Sequence, residues 1–157
     1  MCSSDLDSEV CHRFDLAKER GHAGDKQYLK SLLTGFLSYR CLPFRIAVDG
    51  QDFYEGPAYS VALGLGRYCG GGMMLAPGQD RFSDELTVMV YACRSKLKSL
   101  MNFPKIFEGK HVELTDMTTI ITGKKVHVKF SRPCAAQIDG ETVLAVAKYQ
   151  AKSSKLN

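Results

Sequence analysis

The residues in this chain best suited to chemistry are carboxylates and glycines gathered in short clusters. Asp139-Gly140-Glu141 sets two carboxylates around one glycine late in the sequence. A carboxylate held beside a hydroxyl can take its proton, which is what phosphoryl transfer to an alcohol asks of a protein once metal and donor phosphates lie in line. The same Asp-Gly pair at Asp49-Gly50 reads as an ordinary hairpin turn, so spacing alone leaves Asp139 either a base or a turn residue. Gly64-Leu65-Gly66-Arg67-Tyr68-Cys69-Gly70-Gly71-Gly72-Met73 is glycine-dense. No Gly-Lys-Ser/Thr follows it, and it lacks the spacing of a dinucleotide fingerprint. It is either a crossing between packed strands or the mouth of a site, with Arg67 as its cation. Asp80, Asp84 and Glu85 offer hard oxygen ligands to a divalent cation, or form an exposed acidic turn. Asp5 and Asp7 cap a following helix or face solvent on their own evidence. His111, alone in Gly109-Lys110-His111, reads as a structural hydrogen-bonding residue.

The elements that position these groups follow from periodicity. Val10 to Arg20 has a helical rhythm closed by Gly21, and a second helix begins near Asp25, with Tyr28, Leu29, Leu32, Leu33, Phe36 and Leu37 on one face until Pro43 stops it. Phe44 to Val48 and Asp52 to Tyr54 make a β-hairpin about Asp49-Gly50. Ala58 to Leu65 and Leu86 to Tyr91 read as buried strands. Lys96 to Phe107 reads as a helix disturbed at Pro104, which cannot donate to the helical ladder. Thr118 to Ile121, Val126 to Phe130, Ala135 to Ile138 and Thr142 to Ala147 complete a strand-rich pattern. The residues after Tyr149 are polar and expected to fray.

Composition narrows the class. At 157 residues with 45% hydrophobic and 24% charged residues, the chain fits one domain, placed at 1–150, with 151–157 a flexible tail. The net charge of +4 is mild and decides nothing alone. The six cysteines show no zinc spacing and are expected to be reduced thiols. No signal peptide or membrane span is expected, since no apolar stretch approaches the roughly 20 residues a bilayer needs. No interleaving of aromatic and basic residues points to nucleic acid.

Taken in order and at their spacing, the Gly64–Met73 run with Ala76-Pro77 behind it, Gly109-Lys110-His111 and Gln137-x-Asp139-Gly140-Glu141 resemble the C-terminal domain of the lipid kinases that phosphorylate diacylglycerol, sphingosine and related lipids. The resemblance runs from Asp5 to Glu141. It implies an α+β fold: a mainly antiparallel two-layer β-sandwich with a few helices at one edge, and a pocket between layers for an acyl or sphingoid chain. It further implies that Asp139 is the base for the lipid hydroxyl and that Gly140 and Glu141 meet nucleotide or metal. Asp5 and Asp7, in a short strand that opens the domain, would meet the lipid headgroup together with Arg67. Many bacterial members hold magnesium through an acid before a glycine near Ala76-Pro77. Here a gapless match puts Ser83 there, and a one-residue shift makes Asp84 the metal ligand. Gly70-Gly71-Gly72 and Gly109-Lys110-His111 look closer to the diacylglycerol-type members, while the Asp5 region is similar to sphingosine kinases, which leaves the lipid open. The chain shows no Gly-Gly-Asp-Gly-Thr phosphate loop. ATP and Mg2+ are therefore expected only with a separate nucleotide-binding domain, and the chain alone is expected to be inactive. The expected setting is cytoplasmic with peripheral membrane contact. A non-catalytic lipid-sensing or protein-interaction module is the alternative, and there Asp139 would tolerate substitution.

Overall fold

This computed structural model describes residues 2–4, 40–68, 74–80, 82–139 and 141–154. The two expected helices between Val10 and Leu37 lie outside the described residues. Alternation builds the first long strand that follows them. Along β2 (Leu42–Val48), Leu42, Phe44, Ile46 and Val48 are buried while Pro43 and Arg45 are exposed, as a period of two requires. Asp49 (φ 50) and Gly50 (φ 85) then take the paired left-handed angles of a two-residue hairpin turn. The chain returns as β3 (Gln51–Gly64), followed by β4 (Leu86–Ala92), helix α1 (Lys96–Asn102), two 3-10 turns (Phe103–Ile106 and Lys110–Glu113), β5 (Thr118–Gly123), β6 (Lys125–Ile138) and β7 (Glu141–Lys152). A short strand, β1 (Cys2–Ser4), precedes them all.

These strands form one seven-stranded antiparallel sheet. β7 is its edge and pairs β6. The other side of β6 is shared end to end by β2, against Val126 to Phe130, and β1, against Ala136 to Ile138. β3 takes up the far side of both, and β4 and β5 follow. The sheet coils so that one face closes on itself around a single core containing Phe44, Ile46, Val61, Val88, Val90, Val126, Val128 and Phe130. This is the expected antiparallel sandwich, built from one continuous sheet. β4 is buried along its whole length, because its other face is covered as well. Ala62 and Met89 pack on Leu75 and Ile106 there, and Tyr59 and Tyr91 pack with Met117. The helix and 3-10 turns therefore form an outer layer on β3 and β4. Pro104 sits in the first turn of a 3-10 segment, so it marks a new start after α1, as expected.

Four sequence expectations change. The strands expected at 52–54 and 58–65 are one strand, since the ladder to β2 runs through Phe44–Gly56 and Leu42–Ala58 without a stop. Val126–Phe130 and Ala135–Ile138 also belong to one strand. Between the Lys129–Lys148 and Cys134–Val146 pairs, β6 carries more chain than β7, and Pro133, which has no N–H to donate, lies in that bulge. The fraying expected after Tyr149 gives way to strand through Lys152, because Gln150, Ala151 and Lys152 pair with His127, Val126 and Lys125. Finally, Cys41 and Cys93, expected to be thiols, form a disulfide with Cα atoms 6.2 Å apart. They are separated by 52 residues, so no local spacing announces them. The sheet unites them: Leu42 and Ala92 both pair with Ala58 of β3, and the Cys93 N–H donates to the Pro57 carbonyl.

The register slip in β7 has an energetic signature. Ala145 takes φ 59 between the Val143 and Val146 pairs. A residue with a Cβ is held there at a cost of about 1–2 kcal/mol. Ala145→Gly is expected to raise the unfolding free energy by about 0.5–1 kcal/mol after the entropy lost with glycine, and Ala145→Val to lower it. Urea unfolding midpoints check this. A glycine variant no more stable than the parent would show that the bulge relieves the strain by other means.

Candidate functional site

Coiling of the sheet brings the exit of β3 opposite β7. Leu63, Gly64, Leu65, Gly66 and Tyr68, with Leu86 at the start of β4, form one wall of a cavity of about 690 Å³. Ala136 and Ile138 of β6 and Val143, Val146, Tyr149 and Ala151 of β7 form the other, with Lys148 and Gln150 also lining it. The volume falls within the range of small-molecule sites, and such a dominantly apolar wall suits a hydrocarbon chain. Tyr149 is half-buried and lies against Phe130, with ring centroids 5.8 Å apart. A second hollow of about 630 Å³ is lined by Arg45, Ala47, Asp52, His127, Val128 and Lys129, and shares Lys148, Tyr149 and Gln150 with the first. There the Arg45 guanidinium donates to Asp52 and holds its carboxyl below the usual range. With four charged side chains in its wall, that hollow suits an acyl chain less well than the first.

Asp139 is not itself among the residues that line the apolar groove. It closes the β6–β7 turn with φ 50, is exposed, and follows directly on Ile138, the last residue of β6 to line the cavity. Glu141 is exposed and pairs with Ile138 as the first residue of β7. Gly140, proposed for nucleotide contact, lies outside the described residues. Asp5 and Asp7 do too. Among the described residues the opening strand is Cys2–Ser4. It runs between the groove walls, with Cys2 paired to both Leu63 and Ile138.

Arg67 lies apart from the groove's lining residues. Its Nε donates to the Gln79 carbonyl at 2.7 Å, and its own carbonyl accepts from the Ala76 N–H at 3.1 Å. These two bonds fasten the end of β3 to the loop at 74–80. The same loop is fixed from beneath. The buried Gln79 amide donates to the carbonyls of Asp80 (3.2 Å) and Glu85 (2.9 Å), and its oxygen accepts from the Thr87 hydroxyl. His111 is fully buried and donates from Nε2 to the Leu75 carbonyl at 3.1 Å, while burial pushes its imidazole below the usual histidine range. Gly109 has φ 71, and a Cβ there would stand 2.8 Å from the Met74 sulfur and 3.2 Å from Pro77 Cβ. The Ala76-Pro77 and Gly109-Lys110-His111 motifs are thus the two sides of one packing contact, a relation that linear spacing did not disclose.

Among the described residues no three His, Cys, Asp or Glu side chains gather as a metal set. Around Asp84 the neighbouring oxygens serve the turn itself: Asp80 Oδ1 accepts from the Phe82 N–H, and Ser83 Oγ accepts from the Glu85 N–H. Sequence reasoning also missed Asp49. Its carboxylate accepts from the backbone N–H of Lys124 at 3.1 Å and Lys125 at 2.8 Å, joining the β2–β3 hairpin to the connection between β5 and β6, remote in sequence.

Comparison with known proteins agrees with this architecture. The family described as the YegS C-terminal NAD kinase beta sandwich-like domain matches residues 2–152. Diacylglycerol kinases of Mycobacterium tuberculosis strains CDC 1551 / Oshkosh and ATCC 25618 / H37Rv are each 33% identical over 106 residues, 68% of this chain and 34% of theirs. A crystal structure of a diacylglycerol kinase from Bacillus anthracis str. Sterne superposes with TM-score 0.61 at 22% identity, over 85% of this chain and 45% of that one. Another chain from the same organism reaches TM-score 0.63 over 97% of this chain at 22% identity. At that identity the likeness shows the fold. The chain spans about a third of the curated relatives it matches and about half of the solved chains. By the match across residues 2–152, the chain belongs to the YegS C-terminal NAD kinase beta sandwich-like family, the C-terminal domain of the lipid kinase superfamily.

Proposed function

We propose that this chain is the lipid-accepting half of an ATP-dependent lipid kinase, active when joined to a nucleotide-binding domain. The acyl chain of diacylglycerol or a sphingoid base lies in the groove between β3–β4 and β6–β7, leaving its hydroxyl near the β6–β7 turn. An Asp139 carboxylate oxygen takes the hydroxyl proton as the lipid oxygen bonds to phosphorus and the terminal phosphoanhydride bond breaks. ATP supplies the phosphoryl group, and Gly140 and Glu141 meet the nucleotide side of the cleft. Asp5 and Asp7 contribute at the headgroup. Arg67 contributes by holding the loop behind the groove. Asp84 is assigned no step. Apolar walls exclude water, which favours transfer to the lipid over hydrolysis.

The supporting observation is one of position: the apolar cavity of about 690 Å³ has Ile138 in its lining, directly before Asp139. Its test is to fill the cavity from the side. Val143 lines it yet is 41% exposed, so a larger side chain there can be accommodated by the fold. Val143→Trp is expected to weaken binding of monomeric dioctanoylglycerol by about tenfold or more, the scale of 1–3 kcal/mol for overfilling a packed site. Titration calorimetry on the chain reads it. Unchanged affinity in a folded variant would place the lipid elsewhere.

A further inference from the structure

Helix α1 (Lys96–Asn102) shows an inversion of the usual surface pattern. Its buried residue is Ser99, 1% exposed, while Leu97 is 69% exposed, Met101 72% and Leu100 38%. At about 100° per residue, Leu97, Leu100 and Met101 share one stripe and Ser99 points to the opposite side. Burial agrees: Ser99 faces Tyr59 and Tyr91, whose hydroxyls are pushed up by burial and drawn down by the serine. The apolar stripe therefore points away from the protein. Lys96 and Lys98 flank it on either side, and Phe107 adds a further exposed ring beyond the next turn. From Arg94 to Lys105 the chain carries four basic residues and no acid. Asp116 pairs with Lys98 from outside this stretch, and the Arg94 Nε donates to the Asp116 carbonyl. No helix of the described residues is long and apolar enough to cross a membrane.

We infer that α1 is a membrane-contact element that lies in the interface of an anionic bilayer. Leu97, Leu100 and Met101 enter the acyl boundary, while Lys96, Lys105 and Arg94 sit among anionic headgroups. An apolar stripe bounded by lysines is the pattern that selects such a surface, since burial of the stripe and attraction of the flanks add. Arg94, Lys96 and Lys105 keep this border basic even with Asp116 paired to Lys98. The inference deepens the lipid-kinase reading, on which it rests, by naming a surface that holds the chain at the membrane where its substrate resides.

The chain has no tryptophan, so Met101→Trp installs a single reporter on the stripe. With vesicles of phosphatidylglycerol and phosphatidylcholine, its emission is expected to shift to the blue and to be quenched by lipids brominated along the acyl chain. Pure phosphatidylcholine should give little of either. Leu97→Ser and Met101→Ser, at exposed positions, should each lower the vesicle partition coefficient about tenfold or more, by loss of one buried apolar side chain. Circular dichroism of each variant confirms that the fold is kept. Vesicle binding without quenching of the indole reporter would assign the contact to another face and overturn the inference. So would absence of vesicle binding, or a concentration-dependent dimer abolished by Leu97→Ser. Monomeric dioctanoylglycerol separates the two readings: if it binds the chain while vesicles do not, the groove stands and the membrane helix falls.

Discussion

Asp139→Asn, made in this chain joined to the nucleotide-binding domain of a diacylglycerol kinase, is expected to lower kcat by about 10²–10⁴-fold, the usual contribution of a positioned general base. Asparagine is the appropriate probe for two reasons. It has the shape of aspartate without a carboxylate to take the proton, and it tolerates the left-handed backbone that Asp139 adopts at φ 50 better than most residues. The turn is therefore kept while the chemistry is removed. The groove is untouched, so KM for the lipid should hold within about twofold, the pattern of an interaction made in the transition state alone. The chain without its partner domain should show no turnover. Steady-state assays on diacylglycerol and sphingosine read all three results. Full turnover in the Asn variant would remove the base assignment and favour the non-catalytic module, in which the turn only joins two strands. Robust phosphorylation by the chain alone would remove the half-enzyme assignment.

The fold was legible wherever side chains alternate and illegible wherever the sheet joins distant residues. Phe44 to Val48 and Val126 to Phe130 announce themselves, because a strand with one buried face must place apolar residues at every second position, and the strand the first belongs to starts two residues earlier, at Leu42. β4 was legible for the opposite reason: buried on both faces, it reads as a continuous apolar run. The Cys41–Cys93 disulfide and the clasp of Gly109 on Met74 and Pro77 depend on neighbours supplied by the tertiary fold, and periodicity carries no information about them. The site divides in the same way. Asp139 could be named from its motif, but the adjoining cavity is assembled from β3, β4, β6 and β7, and of its walls only Gly64, Leu65, Gly66, Tyr68 and Ile138 fell in the motifs singled out. Arg67 shows the converse. A lone arginine in a glycine-rich run suggests a phosphate or headgroup, yet its Nε is committed to a backbone carbonyl twelve residues on.

Gly123 is the position where the smallest change should cost the fold most. A Cβ added there would collide with Val48 Cγ1 and stand 2.9 Å from Asp49 Oδ2, closer than real contacts allow. Val48 is 5% exposed and belongs to the main core, so it has nowhere to retreat, and Asp49 is held by its bonds to the Lys124 and Lys125 N–H groups. Gly123→Ala is therefore expected to destabilise the chain by about 3 kcal/mol, at the upper end of overpacking penalties. Asp49→Ala, which leaves those N–H groups to water at an exposed site, should cost about 1–2 kcal/mol, comparable to loss of a helix cap. The discriminating measurement is a cycle with Val48→Ala. Removing the methyl that the new Cβ would strike should make Gly123→Ala cheaper by at least about 1 kcal/mol than it is beside valine, because residues in contact couple while distant ones add. Urea unfolding of the parent, the two single variants and the double variant supplies the four numbers. Strict additivity would mean that the Asp49 turn and the β5–β6 connection at Lys124 can part without cost. The first Asp-Gly turn would then be the plain hairpin its sequence suggests, instead of the tie between β2–β3 and β5–β6 that holds the groove's sheet in its coil.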